Sequence, residues 1–456
     1  MKEFTEEDIT NIENIIAQND SDAVRKVIDD LHPADIAELI QKLDEEQAMF
    51  IFTHLDEDTA ADVLMELDED ERKELISDMP AEEIAKQIDH LDTDDAVDLI
   101  QQLDEEDRDE VLSHIDDVEQ AGDIIDLLKY DEDTAGGLMG TEMIVVNENW
   151  SMPECIRQMR LQAEEMDEIY YVYVVDNDNK LRGTLPLKMM LTHPSVSKIK
   201  HIMETDPVSV KADTPIDEVA LDFEKYDLVA MPVVDSIGRL LGRITVDDVM
   251  DQVREANERD YQLASGISSD VDADDSVFAQ TKARIPWLLI GIASGLLATV
   301  ILSSFEAQLQ AVTALALFIP IIAGTGGNVG VQASAIVVQG LANGSLDIKH
   351  FASQLGKEIV IGLLNATIIT AVVLVYNLIT MPGDIAVTVS VAVSLFIVVM
   401  FGSLLGTLVP LTLEKLHINP ALATGPFIQI SNDIIGLIIY VQIATFFLRH
   451  MSGITI

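Results

Sequence analysis

The stretch Ile430-Ser-Asn-Asp-Ile-Ile-Gly436 sets an acid, Asp433, about midway along the last of five long apolar runs between residues 277 and 456. An unpaired carboxylate is costly in hydrocarbon, so an acid kept there points to an ion pathway. The runs extend from about Ile285 to Ser304, Val312 to Gly340, Ile359 to Thr380, Ile385 to Leu411 and Ala421 to Leu448. Each is long enough to cross a hydrocarbon core about 30 Å thick. Lys282 and Arg284 precede the first, Lys349 and Lys357 lie in the second connection and Lys415 in the fourth, whereas the first and third connections carry Glu306 and Asp384 without Lys or Arg. Positive-inside bias then puts the N-terminus in the cytoplasm and the C-terminus outside, with Arg449 the one discordant charge.

Polar residues concentrate in two runs. Pro320-Ile-Ile-Ala-Gly-Thr-Gly-Gly-Asn-Val-Gly-Val-Gln332 combines proline with four glycines. That composition predicts a broken helix whose freed carbonyls face a wet cavity, and the competing reading is a glycine seam for close helix packing. Asn328 and Gln332, four apart, share a helical face and favour a pore, in which Gly326 and Gly327 would also lie. In the fifth run Asn419-Pro420 and Gly425-Pro426 loosen the helix ahead of Asn432 and Asp433. The bland alternative for Asp433 is a carboxyl protonated or hydrogen-bonded inside the bundle. Gly291-x-x-x-Gly295 and Gly402-x-x-x-Gly406 read as helix contacts that also suit protomer association.

Composition bounds the rest. The chain holds 80 acidic and 28 basic residues; from Val277 onward there are six of each, so the whole net charge of -52 falls on residues 1–276. Such a polyanion repels nucleic acid and anionic headgroups and attracts hydrated cations, with divalent metal the natural counter-ion. Cys155 is the only cysteine, which excludes an internal disulfide or thiolate zinc cluster, and the nine histidines show no paired ligand spacing. Metal must bind through oxygen. The acidic start Met1-Lys-Glu-Phe-Thr-Glu-Glu-Asp8 reads as a helix cap rather than a signal peptide.

The first segment repeats every twelve residues: Leu31, Leu43, Leu55, Leu67, Met79, Leu91 and Leu103 open units of the type Leu-Asp-Glu-Glu. Nine residues after each opener stand Ile40, Phe52, Leu64, Ile76, Ile88, Ile100 and Leu112. The pattern predicts short acid-capped helices stacked as an α-solenoid from about Thr5 to Leu128. A tandem pair follows, because Val174-Val175-Asp176 with Gly183 recurs as Val233-Val234-Asp235 with Gly242 at one offset of 59 residues. Each half predicts strand, turn, strand, helix, with hairpins over Tyr170–Leu185 and Ala230–Thr245. This portion, about Gly137 to Met250, resembles a pair of cystathionine-β-synthase (CBS) domains. CBS domains often bind adenosine nucleotides through Thr-x-x-Asp; Thr245 and Asp248 supply it in the second half, while the first has Pro186-Leu-Lys-Met189. That resemblance implies ATP as a cofactor at Thr245.

Acidic helical repeats, tandem CBS domains, an acidic helix and five runs with Gly-Thr-Gly-Gly-Asn-Val-Gly-Val-Gln and Asp433 together resemble the MgtE family of magnesium channels over nearly the whole chain. The resemblance implies a multidomain membrane protein: an acidic helical domain at residues 1–130, CBS domains at 131–250, a connecting helix and linker at 251–276 and a five-helix pore domain at 277–456. It implies a homodimer in the plasma membrane with paired Asp433 carboxylates at a central ion site lined by the second and fifth spans. It also implies a cytosolic Mg²⁺ sensor made by Asp62, Asp94, Asp98, Asp217, Asp227, Asp248 and Asp251. Pro215 and Ala256 stand where that pattern has acidic ligands, and Gly425 where a pore-lining Asn occurs.

Magnesium dehydrates reluctantly, so its pore needs room for water, polar groups and one concentrated charge, which Asn328, the glycine segment and Asp433 offer. With little cytosolic Mg²⁺ the acidic faces repel; bound Mg²⁺ bridges them and draws the connecting helix over the pore. Two other readings stay open: a channel for Mn²⁺ or Co²⁺, since oxygen sites do not exclude them, and a CBS sensor that signals without conducting. An enzyme is not expected, because no P-loop is present and Asp433 lacks acid-base companions within the spans.

Overall fold

In the computed structural model, each Leu-Asp step of the acidic repeat starts a helix. Asp44, Asp56, Asp92 and Asp104 stand at the N-caps of helices Glu45–Phe52, Glu57–Glu66, Thr93–Gln101 and Glu105–Leu112. Asp44 accepts from the Gln47 amide at 3.0 Å and Asp56 from the Thr59 amide at 3.1 Å, satisfying donors that a helix start leaves orphaned. The other landmark of the repeat faces inward: Ile40, Phe52, Leu64, Ile76, Ile88 and Ile100 are all buried. Short helices from Glu6–Ala17 to Val118–Leu127 thus stack on one another, each burying the face it cannot bury alone. Described residues are 4–451 apart from 30, 78, 164–165, 167–168, 195–196, 270, 272–274 and 347–350; Lys349 and part of the expected linker therefore lie outside them.

The 59-residue offset reappears as backbone pairing. Val172–Val175 runs antiparallel to Leu181–Leu185 with Val174 opposite Gly183, and Ala230–Val234 runs antiparallel to Leu240–Thr245 with Val233 opposite Gly242. Each hairpin is flanked by a parallel strand, Ile144–Asn147 in the first sheet and Val210–Lys211 in the second. The halves join through reciprocal bonds, Leu181 N to Gly238 O and Leu240 N to Asn179 O, both 3.0 Å. The core of the helical stack continues into the second half through Val219, Phe223, Met231 and Ile244. Residues up to Val253 form one compact unit and Arg254–Ile456 another; the helix Val246–Ser265 crosses the boundary.

Among the described residues, five helices are long and apolar enough to cross a membrane: Val277–Ser303, Thr313–Ala342, Phe351–Thr380, Ile385–Lys415 and Pro420–Met451. Several outrun the apolar stretches read from sequence, because the helix continues through its charged end. The second span corrects an expectation: helix Ile319–Ala342 is unbroken through the glycines, and Pro320 sits in its first turn, where a missing N–H costs nothing. Irregular backbone lies ahead of the proline instead, in the 3₁₀ turn Thr313–Phe318, and the fifth span likewise opens with a 3₁₀ turn, Pro420–Ala423. Each turn is pinned by the other helix: Tyr440 Oη donates to Leu315 O at 2.7 Å, and Ser334 Oγ to Ala423 O at 3.0 Å.

The glycines serve the seam that was the competing reading. A side chain at Gly402 would start 2.6 Å from Gly326 O, one at Gly326 would start 2.5 Å from Val398 Cγ1, and the place of one at Gly406 is taken by Gly330 backbone. The second and fourth spans therefore touch backbone to backbone within one chain. Gly291 and Gly295 meet no atom within 4 Å. Gly402→Leu should cost at least about 1–3 kcal/mol by overpacking, read as a lower unfolding temperature in detergent. Gly291→Leu should leave it unchanged; equal losses would show that the seam carries no special weight.

Candidate ion sites

In the N-terminal unit the start of helix Thr93–Gln101 is capped from a distance. Glu142 accepts from Thr93 N and Thr93 Oγ1, both at 3.1 Å, and Thr93 Oγ1 accepts from Thr141 N at 2.9 Å. Arg243, on the strand Leu240–Thr245, reaches the same place: its Nη2 donates to Asp92 Oδ2 at 3.1 Å and its Nε to Glu142 O. Asp92, Asp94 and Glu142 each offer an oxygen within 4.8 Å of the others. Three oxygens on one octahedral Mg²⁺ at about 2.1 Å include at most one trans pair, about 4.2 Å apart, and otherwise cis pairs about 3.0 Å apart, so these groups would have to draw together to share the ion directly. Gly140 leaves room beside them, since a side chain there would start 2.8 Å from Asp94 Oδ2 and 2.9 Å from Glu142 Oε2 and push those carboxylates aside.

Like charge defines this cluster. Burial first, then Asp248, Asp95, Glu142 and Asp92, holds the Asp94 carboxyl well above the usual carboxylate range. Burial, with Asp248, Asp98 and Asp92, pushes Asp95 up to about 7 against the pull of Arg72. Asp248 and Glu142 are also raised, mainly by burial. Asp248 lies in the first turn of helix Val246–Ser265 and accepts from Thr245 N at 3.3 Å and from Thr245 Oγ1, so the hydroxyl expected at a nucleotide is engaged with the acidic cluster.

Of the sensor residues expected from sequence, Asp94, Asp98 and Asp248 gather here. Asp62, Asp217, Asp227 and Asp251 are exposed and are not among the principal charges acting on Asp94 or Asp95. Asp92, Asp95 and Glu142 were missed. The first two stand in the run Leu91-Asp-Thr-Asp-Asp95 and were legible there; Glu142 is brought in by tertiary pairing of Gly140 with Arg243, which leaves no local signal.

In the membrane unit Asp433 is half-buried, eight residues and about 12 Å of rise into helix Gly425–Met451. Gln429 Nε2 donates to its Oδ1 at 3.5 Å. Asn328 and Gln332 are exposed on the neighbouring second span. The other pore candidates pack inside the chain. Gly326 and Gly327 are buried against Val398 and Gln429, and Asn432 is fully buried beside Gly330 and Gly402, a turn of about 100° away from Asp433 on its helix. Nor is Asp433 the only intramembrane acid: helix Phe351–Thr380 begins early enough to enclose Glu358, which is buried and accepts from Ser403 Oγ.

The last turns of the helix Val246–Ser265, and Gly266 just after it, meet the start of the fifth span. Asn419 Nδ2 donates to Asp260 Oδ1 at 2.8 Å, and Gly266, at φ +82°, packs a would-be side chain 2.6 Å from Pro426 Cγ.

A family model described as "Divalent cation transporter" matches residues 319–443, an MgtE intracellular N domain matches 31–133, and CBS domains match 135–194 and 199–255. The Thermus thermophilus protein named magnesium transporter MgtE is 36% identical over 330 residues, covering 71% of this chain and 72% of that protein. The chain belongs to the MgtE family. The Bacillus subtilis MgtE is 33% identical with the same coverage, and the Enterococcus faecalis MgtE 30% identical over 73% of each chain. Among solved structures, the cytosolic domain of the Mg²⁺ channel MgtE in complex with ATP has a TM-score of 0.51 at 32% identity, covering 54% of this chain and 99% of that one. The soluble part of a magnesium transporter has 0.50 at 30%, covering 55% and 98%.

The raised Asp95 fixes a pH dependence for this MgtE protein. An Asp that titrates near 3.8 unfolded and near 7 folded binds more protons in the folded state between those values, so its contribution to stability is greatest below about 4 and is lost as pH rises through about 7. Hydrogen-exchange protection of Thr93–Gln101, corrected for intrinsic rate, should drop roughly tenfold or more from pH 5 to pH 8 in EDTA. Mg²⁺ or Asp95→Asn should flatten the profile, and a flat profile in EDTA for the unaltered chain would contradict the crowding.

Proposed function

We propose that this magnesium transporter conducts hydrated Mg²⁺ past Asp433 and is closed by Mg²⁺ collecting in the acidic cluster of its N-terminal unit. The observation that carries the reading is that Asp433 is half-buried on the fifth span while the amides Asn328 and Gln332 are exposed on the second, the two spans packing on one another. Polar groups facing outward at membrane depth need a wet cavity or a second copy of the chain to cover them. A homodimer with these faces across a two-fold axis meets both needs and pairs the Asp433 carboxylates. Inward passage of a divalent ion gains about 4.6 kcal/mol per 100 mV from the membrane potential, at about 2.3 per charge. No further energy source is required.

Positive-inside bias supports cytoplasmic N-terminal domains, with Lys282, Arg284, Lys357 and Lys415 on the same side and the C-terminus outside. Crowded carboxylates then lose their repulsion when cytosolic Mg²⁺ rises. Asp248 opens the helix whose far end, through Asp260, holds Asn419 at the start of the conducting span. Cation binding at one end of that helix thus acts on the pore at the other. The ATP complex of the related cytosolic domain supports nucleotide binding to the CBS pair here too. Because Thr245 shares its hydroxyl with Asp248, nucleotide and Mg²⁺ would act on the same helix start.

Mg²⁺ flux into vesicles of pure lipid tests both halves. Asp433→Ala should abolish flux in a folded protein, and normal influx would remove Asp433 from the pathway. Asp248→Asn should leave conduction intact while raising the cytosolic Mg²⁺ needed for closure several-fold. Equal competition by Mn²⁺ or Co²⁺ would move the reading to a general divalent channel, and absence of flux would leave a non-conducting sensor.

A further inference from the structure

Gln429 belongs to none of the motifs read from the sequence, yet it makes two contacts that converge on the conducting carboxylate. It stands one helical turn before Asp433, on the same face of the fifth span. Its side-chain amide donates to Asp433 Oδ1 at 3.5 Å. The same amide occupies the space that a side chain at Gly327 would need: a Cβ there would lie 2.5 Å from Gln429 Nε2, 2.7 Å from Cδ and 2.8 Å from Oε1. Gly327 on the second span is thus a notch, and Gln429 fills it while reaching the acid. Glycine at 327 is explained by this close approach, with no need for unusual backbone, since the residue is helical.

We propose that Gln429 is a positioning residue that sets ion selectivity by occupying one oxygen of Asp433. The inference rests on the reading of Asp433 as the ion site. A carboxylate accepts through two oxygens and can grip a cation with both. Calcium takes six to eight oxygens in flexible geometry and readily accepts bidentate carboxylates, whereas Mg²⁺ keeps several waters and demands octahedral geometry. A donor beside Oδ1 competes with a cation for that oxygen and favours one-point contact through Oδ2, which suits hydrated Mg²⁺ and handicaps a bidentate grip on Ca²⁺. The amide is neutral, so it directs the carboxylate without cancelling the charge that draws the cation in. A lysine or arginine at this place would neutralise it.

The test is Mg²⁺ flux in vesicles holding the full chain, with Ca²⁺ as competitor and Asp433→Asn as control. Gln429→Met keeps bulk in the notch and removes the donor, so the ratio of half-blocking Ca²⁺ to Mg²⁺ concentrations should fall about 3- to 10-fold, as expected for losing one hydrogen bond to a charged group. Gly327→Ala, which expels the amide from its notch, should produce the same shift with Gln429 present and no further shift in a Gln429→Ala background. An unchanged ratio in Gln429→Met and Gln429→Ala, with flux still lost in Asp433→Asn, would overturn the selectivity role and leave Gln429 as packing alone. Undiminished flux in Asp433→Asn would instead remove the ion site itself, and the inference with it.

Discussion

A carboxylate taken out of water must be answered by a proton, a cation or a set of donors, and the fold of this chain is organised around how few answers it provides. In the N-terminal unit Asp94, Asp95, Glu142 and Asp248 converge while Arg243 and Arg72 are the principal cations acting on them. The twelve-residue repeat supplies the acids, because the Asp that caps each helix comes with further acids in the following turn. Where one such helix start meets the strand that carries Arg243, caps and charges fall together. Protons or a bound cation would each relieve the repulsion among these carboxylates.

The membrane unit meets the same constraint differently. Glu358 receives a hydroxyl from Ser403, and Asp433 a side-chain amide from Gln429. Neither residue would have its partner in reach without the glycines, since Gly362 leaves room for Ser403 and Gly327 for Gln429. Small residues thus do more than let backbones touch: they decide which polar side chains arrive at the acids. The backbone contacts of Gly326 with Gly402 and Gly330 with Gly406 fix the helix spacing on which those reaches depend.

Much of this was legible in the sequence. The twelve-residue period and the 59-residue offset gave helix starts, inward residues and even the facing pairs Val174 with Gly183 and Val233 with Gly242, because each reports a local periodicity. The acids on one helical face, Asp94 and Asp98, and the amides Asn328 and Gln332 were also visible, since spacing of four places residues together. Partners from distant segments were not. Glu142 reaches Asp94 through pairing across about a hundred residues of chain, and Glu358 was hidden because a helix does not end where its apolar run begins. The run of glycines carried two meanings of equal sequence appearance, a broken helix and a packing seam. Only the neighbours of each missing Cβ decide between them.

The two hydroxyl pins, Tyr440 on Leu315 and Ser334 on Ala423, each join the interior of one span to the irregular turn that begins the other. Sliding either helix along its axis by a single residue, about 1.5 Å, would strain both pins at once. Tilting the pair about the line that connects them would strain neither as much. The two pins thus resist a sliding displacement of one span along the other more than a tilt of the pair.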